Sequence, residues 1–333
     1  MNETSCKAMV VSEIEDKQYR REIVKQQVSN LPAGDVLIKV LYSSLNYKDA
    51  LSASGNRGVT RKYPHTPGID AAGIVVESTD SAFREGDAVI VTSYDLGMNT
   101  AGGFGQYIRV PAGWVVPLPD GLSLRQAMCY GTAGFTAALS VFQLVNHGVR
   151  PEQGEILVSG ATGGVGSIAV SILAQQGYAV AAVNGKTDQS DYLKSLGAQR
   201  IINIEDAADT SGRPLLGGRW AGSVDVVGGD ILATTIKSMS ANGVVTTCGN
   251  VASPDLPISV FPFILRGVIL VGIDSQNCPM PLRCKAWQKL ASEWQVTKME
   301  EVVEEITLNE LDLQIDKMLN RGSKGRVIVN MQL

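Results

Sequence analysis

Histidine and paired cysteine are scarce in this chain of 333 residues: His65 and His147 are the only histidines, and the five cysteines (Cys6, Cys129, Cys248, Cys278, Cys284) contain no C-x-x-C pair. A catalytic zinc needs thiolate, imidazole or carboxylate ligands around an open position, and a structural zinc needs four ligands. Cys278 and Cys284 have no histidine beside them, so no metal site is expected. An odd cysteine count in a long chain also argues against a secreted disulfide framework. Basic excess is missing too: 29 Lys and Arg stand against 33 Asp and Glu, a net charge of -4. No bulk positive field is available to draw in nucleic acid or an anionic membrane. The most apolar long stretch, 258–273, is interrupted by Pro262 and Arg266 and falls short of the roughly 20 residues that span a bilayer. The opening MNETSCKAMVVSEIED lacks the apolar segment of a signal peptide. No G-x-S-x-G elbow is present, so serine hydrolysis has no support. These absences predict a cytoplasmic protein whose partner is neither nucleic acid nor membrane.

What is present is an ordinary globular balance, 44% hydrophobic and 19% charged residues, long enough for about two domains. Short β-rich runs over 36–42, 73–77, 87–92 and 105–110, separated by Pro and Gly corners, predict a compact β-rich front domain over 1–122. From Ser123, a plausible helix N-cap, the texture changes. A strand pattern ILVSG, a glycine turn, the helical SIAVSILAQQG and the strand YAVAAVN form a βαβ unit. Further short apolar runs at 200–204, 223–227, 243–248 and 268–273 predict a parallel, doubly wound sheet, an α/β fold.

The turn reads Gly160-Ala161-Thr162-Gly163-Gly164-Val165-Gly166. Glycines there allow a tight strand-to-helix turn and close approach of backbone to a pyrophosphate, with the helix N-terminus offering N–H groups. NAD-binding folds usually place a carboxylate about 20 residues on, for the ribose 2′-hydroxyl. Here that position reads Asn184-Gly185-Lys186, with Arg200 following on the next strand. The missing carboxylate and the two cations favour NADP(H).

Other segments carry a wider likeness: Ser43-Ser44-Leu45-Asn46-Tyr47-Lys48-Asp49-Ala50-Leu51, Pro67-Gly68-Ile69-Asp70-Ala71-Ala72-Gly73, Tyr130-Gly131-Thr132-Ala133-Gly134-Phe135-Thr136-Ala137 and Phe263-Ile264-Leu265-Arg266-Gly267-Val268. With the glycine turn, the set resembles zinc-independent medium-chain dehydrogenases/reductases. More narrowly, it resembles the quinone-oxidoreductase-like branch that contains NADPH-dependent acrylyl-CoA reductases. The resemblance implies a GroES-like catalytic domain over 1–122 and 300–333, with a Rossmann NADP-binding domain over 123–299 inserted between. Where zinc-bearing relatives carry Gly-His-Glu, this chain has Gly68-Ile69-Asp70, so an imidazole ligand is replaced by an apolar side chain. By the same resemblance, Thr162, Gly163, Gly164 and Val165 hold the pyrophosphate. Asn184, Gly185, Lys186 and Arg200 surround the 2′-phosphate, and Tyr42, Asn46 and Thr132 lie near the nicotinamide. Asn250, Ile273 and Ser275 line the cofactor cleft, and Arg326 returns from the tail towards it.

The reaction this implies is hydride transfer from NADPH to the C=C bond of an α,β-unsaturated acyl-CoA such as acrylyl-CoA. Asn46 is the expected donor to the enolate oxygen, and Tyr42 or Tyr47 the group that orients substrate or relays the proton. Arg57, Arg61 and Lys62 are expected to meet CoA phosphates. Two alternatives stand beside it: an NADPH quinone or enone oxidoreductase, and a non-catalytic NADPH-binding protein. The final Rossmann strand, 268–273, would suit a homodimer whose sheets join edge to edge.

Overall fold

The computed structural model describes residues 4–15, 17–185 and 188–333, and the chain divides into two compact units. One comprises 1–132, 276–291 and 303–333, the other 133–275 and 292–302. These limits differ from a break at 122 and a return at 300. Part of the reason is the helix after Ser123, which is broken at Gly131 (φ 51°, ψ −156°), so its first turns stay with the front unit.

In chain order the elements are β1 (Ser5–Glu15), β2 (Gln18–Gln27), β3 (Val36–Leu45), α1 (Tyr47–Ala53), β4 (Asp70–Ser78), β5 (Ala88–Thr92), β6 (Tyr107–Val110) and β7 (Val115–Pro117). Then follow α2 (Leu124–Asn146), β8 (Glu155–Val158), α3 (Gly164–Gln175), β9 (Val180–Asn184), α4 (Ser190–Ser195), β10 (Arg200–Asn203) and β11 (Trp220–Asp225). The chain ends with α5 (Gly229–Lys237), β12 (Met239–Thr247), α6 (Phe261–Arg266), β13 (Ile269–Gly272), α7 (Met280–Leu290), α8 (Met299–Val302), β14 (Val303–Thr307), α9 (Leu311–Leu319) and β15 (Arg326–Asn330).

In the first unit, seven strands form one sheet in the order β14-β15-β3-β4-β5-β7, with β6 also paired to β3. All its pairs are antiparallel except β14 with β15. Its core is built from alternate strand residues such as Val36, Ile38, Val40, Val89, Val91, Ile108, Val327 and Val329, the two-residue period of a sheet with one covered face. The β1–β2 ribbon and β14 had no clear signal in the sequence; no residue of β2 is fully buried, and β14 carries two adjacent exposed glutamates.

The second unit is the expected doubly wound sheet: six parallel strands in the order β10-β9-β8-β11-β12-β13. The order reverses beside β8, the switch point at which such sheets bind ligands. Ser123 caps α2, its Oγ accepting from Gln126 N at 3.2 Å while Gln126 Oε1 accepts from Ser123 N at 2.8 Å. Among the described residues α2 is the one helix long and apolar enough to cross a bilayer, a property that the 258–273 stretch does not share. Of its most apolar window 83% is buried inside the protein, as in a core helix.

Candidate active site

In the first unit, β3, α1, β4, α2 at its Gly131 break and β15 converge on Asp70, which is fully buried. Its Oδ2 accepts from Ser44 Oγ (2.6 Å), Asn46 Nδ2 (2.7 Å) and Thr132 N (2.9 Å), and its Oδ1 from Thr132 Oγ1 (2.6 Å). Four hydrogen bonds to one carboxylate offset part of the cost of burying it. Arg326, also buried, lies 3.8 Å from Asp70 Oδ2 and donates to Ser44 Oγ (2.7 Å), Asn46 Oδ1 (3.1 Å) and Leu45 O (3.2 Å). A second carboxylate, Asp49, accepts from Asn46 N and Ile69 N at 2.8 Å each. Burial first, and the charge of Asp70 second, push Asp49 up to about 7. Gly131 makes this packing possible: a Cβ there would lie 2.4 Å from Ser44 Oγ and 2.5 Å from Asp70 Oδ2.

This network revises two expectations. Asn46 is buried and its Nδ2 faces Asp70, with further contacts of 3.3 Å to Ser44 O and Asp49 Oδ2. Its two amide hydrogens therefore have acceptors inside the protein, and it positions the site instead of donating to a substrate oxygen. Arg326 likewise spends its guanidinium on protein acceptors, because β15 runs antiparallel to β3 and delivers it beneath Leu45; a cofactor contact does not fit. Burial holds its pKa below the ordinary arginine value. Tyr42 is half-buried on β3, Tyr47 is half exposed at the start of α1, and neither hydroxyl has a hydrogen-bond partner among the described residues. Ser44, Asp49 and Asp70 stand in the sequence motifs without an expected role, and Ser93 stands in none of them. The Asn46-x-x-Asp49 spacing of a helix start was the one available signal.

Of the loop cations, Arg57 is engaged: Nη2 meets Glu13 Oε2 at 2.5 Å, Nη1 donates to Arg61 O, and the guanidinium lies over the Tyr63 ring. Arg61 and Lys62 are exposed.

In the second unit, the glycine turn follows β8 and opens α3 as expected. Gly160 has φ +57°, and a Cβ on Gly166 would stand 2.3 Å from Gly160 O, so the close helix–strand approach excludes any side chain there. Thr162 is buried, whereas Gly163, Gly164 and Val165 are half-buried at the N-terminus of α3. Asp225, at the end of β11, ties the neighbouring strand ends together, accepting from Ser159 Oγ (2.7 Å), Gly228 N (3.0 Å) and Thr247 Oγ1 (3.0 Å). Burial raises its pKa. An open cleft of about 630 Å³ lies at the ends of β12 and β13, lined by Thr247, Cys248, Gly249, Asn250, Gly272, Ile273 and Asp274. Burial first, and the charge of Asp225 second, push the Cys248 thiol up to about 12. This unit thus offers what a dinucleotide requires: a glycine cradle, a helix N-terminus and a cleft at the carboxyl ends of the strands.

Asn184 ends β9 and is buried, and Gly185 beside it is exposed. Lys186 lies outside the described residues. Arg200 does not join them. It begins β10, at the amino end of the parallel sheet, and pairs with Glu155 at 2.7 Å. The β10 residue in register with Asn184 is Asn203.

Residues 32–120 match the alcohol dehydrogenase GroES-like domain, and 164–292 match the zinc-binding dehydrogenase domain. The acrylyl-CoA reductase AcuI of Ruegeria pomeroyi is 44% identical over 97% of this chain and 98% of its own length. A crystal structure of Bacillus subtilis YhfP with NAD bound superposes with a TM-score of 0.96 at 44% identity, covering 98% of this chain and 99% of that one. The YhdH oxidoreductase of Salmonella enterica in complex with NADP gives 0.95 at 42% identity, covering 97% and 99%.

Proposed function

Because the chain belongs to the medium-chain dehydrogenase/reductase family, in its quinone-oxidoreductase-like branch, we propose that it is a zinc-independent, NADPH-dependent reductase acting on the C=C bond of an α,β-unsaturated acyl-CoA such as acrylyl-CoA. The observation that carries this reading is the 44% identity to an acrylyl-CoA reductase along nearly the whole chain. Zinc independence rests on the residues themselves, since Ile69 has no ligating atom and the Asn46 amide is committed to Asp70 and Arg326.

When bound, NADPH supplies the hydride for the β-carbon. The chain holds it through the turn Thr162–Val165 and the α3 N-terminus at the pyrophosphate, Asn184, Gly185 and Lys186 at the adenosine ribose, and Asn250, Ile273 and Ser275 along the cleft. Thr132 and Tyr42 belong to the nicotinamide half. Negative charge developing on the thioester oxygen needs a donor placed in advance, worth roughly 10²-fold or more in rate. With Asn46 spent, the hydroxyls of Tyr42 and Tyr47 are the donors for that oxygen, and either can pass a proton to the α-carbon. The Asp70–Arg326 network keeps β3 and α1 in register beneath them. Arg61 and Lys62 suit the CoA phosphates.

A homodimer completes the proposal. β13 is an edge strand of the parallel sheet, and Val260 (63% exposed), Ile264 (66%), Leu265 (64%) and Ile269 (37%) leave α6 and this edge apolar. Such an edge is normally covered, and a second copy closes it with two-fold symmetry.

Oxidation of NADPH by the purified protein with acrylyl-CoA, crotonyl-CoA or a benzoquinone tests the reading, with NADH as the cofactor control. Turnover confined to the thioesters supports it. Turnover of the quinone alone assigns quinone reduction instead, and tight NADPH binding without turnover assigns a non-catalytic role. A reaction that survives exhaustive chelation supports zinc independence.

A further inference from the structure

The end of β5 holds an uncommon backbone. Two consecutive residues other than glycine, Ser93 (φ 64°) and Tyr94 (φ 51°), lie in the left-handed region, which side chains bearing a Cβ occupy only where the surroundings over-determine them. Here they do. Ser93 N donates to Ile69 O at 2.7 Å and Tyr94 N to Gln276 O at 3.2 Å. The buried Arg283 donates through Nη1 to Thr92 O (2.9 Å) and Thr92 Oγ1 (2.8 Å). Its guanidinium stands 4.3 Å from the centre of the Tyr94 ring, which also stacks on Trp114 at 5.6 Å.

The result of this bracing is the position of one hydroxyl. Ser93 Oγ, buried with its residue 4% exposed, lies 2.9 Å from Thr132 Oγ1. Thr132 gives its own hydrogen to Asp70 Oδ1 at 2.6 Å, and a hydroxyl has only one hydrogen to give. Ser93 is therefore the donor of the pair, and its bond together with that to Asp70 leaves the Thr132 hydroxyl one orientation. Glycine would hold the same turn without steric cost, so what serine adds at this position is the hydroxyl.

We infer that Ser93 is a positioning residue for the reduction: it locks the Thr132 hydroxyl in the orientation that the nicotinamide half of the cofactor meets. The inference rests on the reading of Thr132 given above. Three proteins test it: the unsubstituted chain, Ser93→Gly and Ser93→Thr. Glycine relaxes the backbone and removes the hydroxyl. Its Tm stays within about 2 °C of the parent or rises, while its Kd for NADPH rises about threefold or more and its kcat falls about tenfold or more. Its affinity for 2′-phospho-ADP-ribose, which has no nicotinamide, is unchanged. Threonine keeps the hydroxyl and worsens the strain, because it is β-branched. Its Tm falls by several degrees, yet kcat per folded molecule stays within about threefold of the parent. The opposite pattern, an active glycine variant and a threonine variant impaired in step with its stability, overturns the inference. Failure of the reductase reading itself appears separately, as no NADPH oxidation by the unsubstituted chain. The two affinities of Ser93→Gly then still decide: selective loss of NADPH supports the role, and equal loss of both ligands or of neither overturns it.

Discussion

Arg326 Nη1 donates to Asn46 Oδ1 at 3.1 Å across 280 positions of sequence. Arginine has no acceptor, so this contact fixes which end of the Asn46 amide faces it and turns Nδ2 to Asp70 at 2.7 Å. One neutral side chain thereby bridges a buried cation and a buried anion that themselves stand 3.8 Å apart.

Asn46→Ala removes both halves of that bridge and leaves a buried charge on each side short of a partner. The expected loss of stability is about 2–4 kcal/mol, seen as a lower urea midpoint with an unchanged slope. If Asn46 instead donated directly to substrate, activity would fall while the midpoint held.

Gly131→Ala is expected to be severe. Its φ is 51° and its Cβ position is already occupied by Ser44, Asp70 and Arg326 side-chain atoms within 2.6 Å. Either the kink in α2 or the network must shift, at a cost of about 3 kcal/mol or more. Thermal unfolding measures it, and a Tm within a degree or two of the parent would contradict the packing described.

Asp49 gives a pH dependence. Its pKa in the folded protein is about 7, against 3.8 for the ordinary carboxyl. A raised pKa means that the folded state binds the proton more tightly than the unfolded state does. This contribution to stability is fully present below pH 4 and is lost as pH rises to about 7, a change on the order of 4 kcal/mol. Unfolding free energies measured from pH 4 to 8 should decline through this window, and Asp49→Asn should flatten the decline.

Cofactor choice separates Asn184 from Arg200, two residues that the resemblance placed together at the 2′-phosphate. Arg200→Ala should leave the KM for NADPH unchanged, because Arg200 pairs with Glu155 at the far end of the sheet; the lost exposed pair costs at most about 1 kcal/mol. Asn184→Asp places a carboxylate at the end of β9 and should shift preference towards NADH by about tenfold or more. Steady-state KM values for both cofactors read both variants.

The exposed α6 face predicts the assembly. Ile264→Glu with Leu265→Glu should convert a dimer to a monomer in light scattering, with the far-ultraviolet circular dichroism preserved, since both side chains are about two-thirds exposed in the single chain.

The parallel sheet was legible because its strands are short continuous apolar runs, a pattern that buried parallel strands impose locally. The glycine turn was legible for a similar reason: a helix start so close to its strand tolerates no Cβ at Gly166, and that requirement shows in the sequence as glycine. β14, with two exposed glutamates among its five residues, had no such pattern, since its place is set by pairing with β15.

The sequence by itself determined the two kinds of domain and the dinucleotide cradle, because each depends on residue type within a short span. Tertiary structure alone decided what those residues do together. Asp70 gathers donors from β3, from α2 just past its break at Gly131 and from the residue that opens α1; Arg326 reaches it from the far end of the chain; and Arg200 falls at the amino end of a sheet whose ligands bind at the other. Hydrogen bonds between distant segments depend on direction and distance, and only the folded chain sets those.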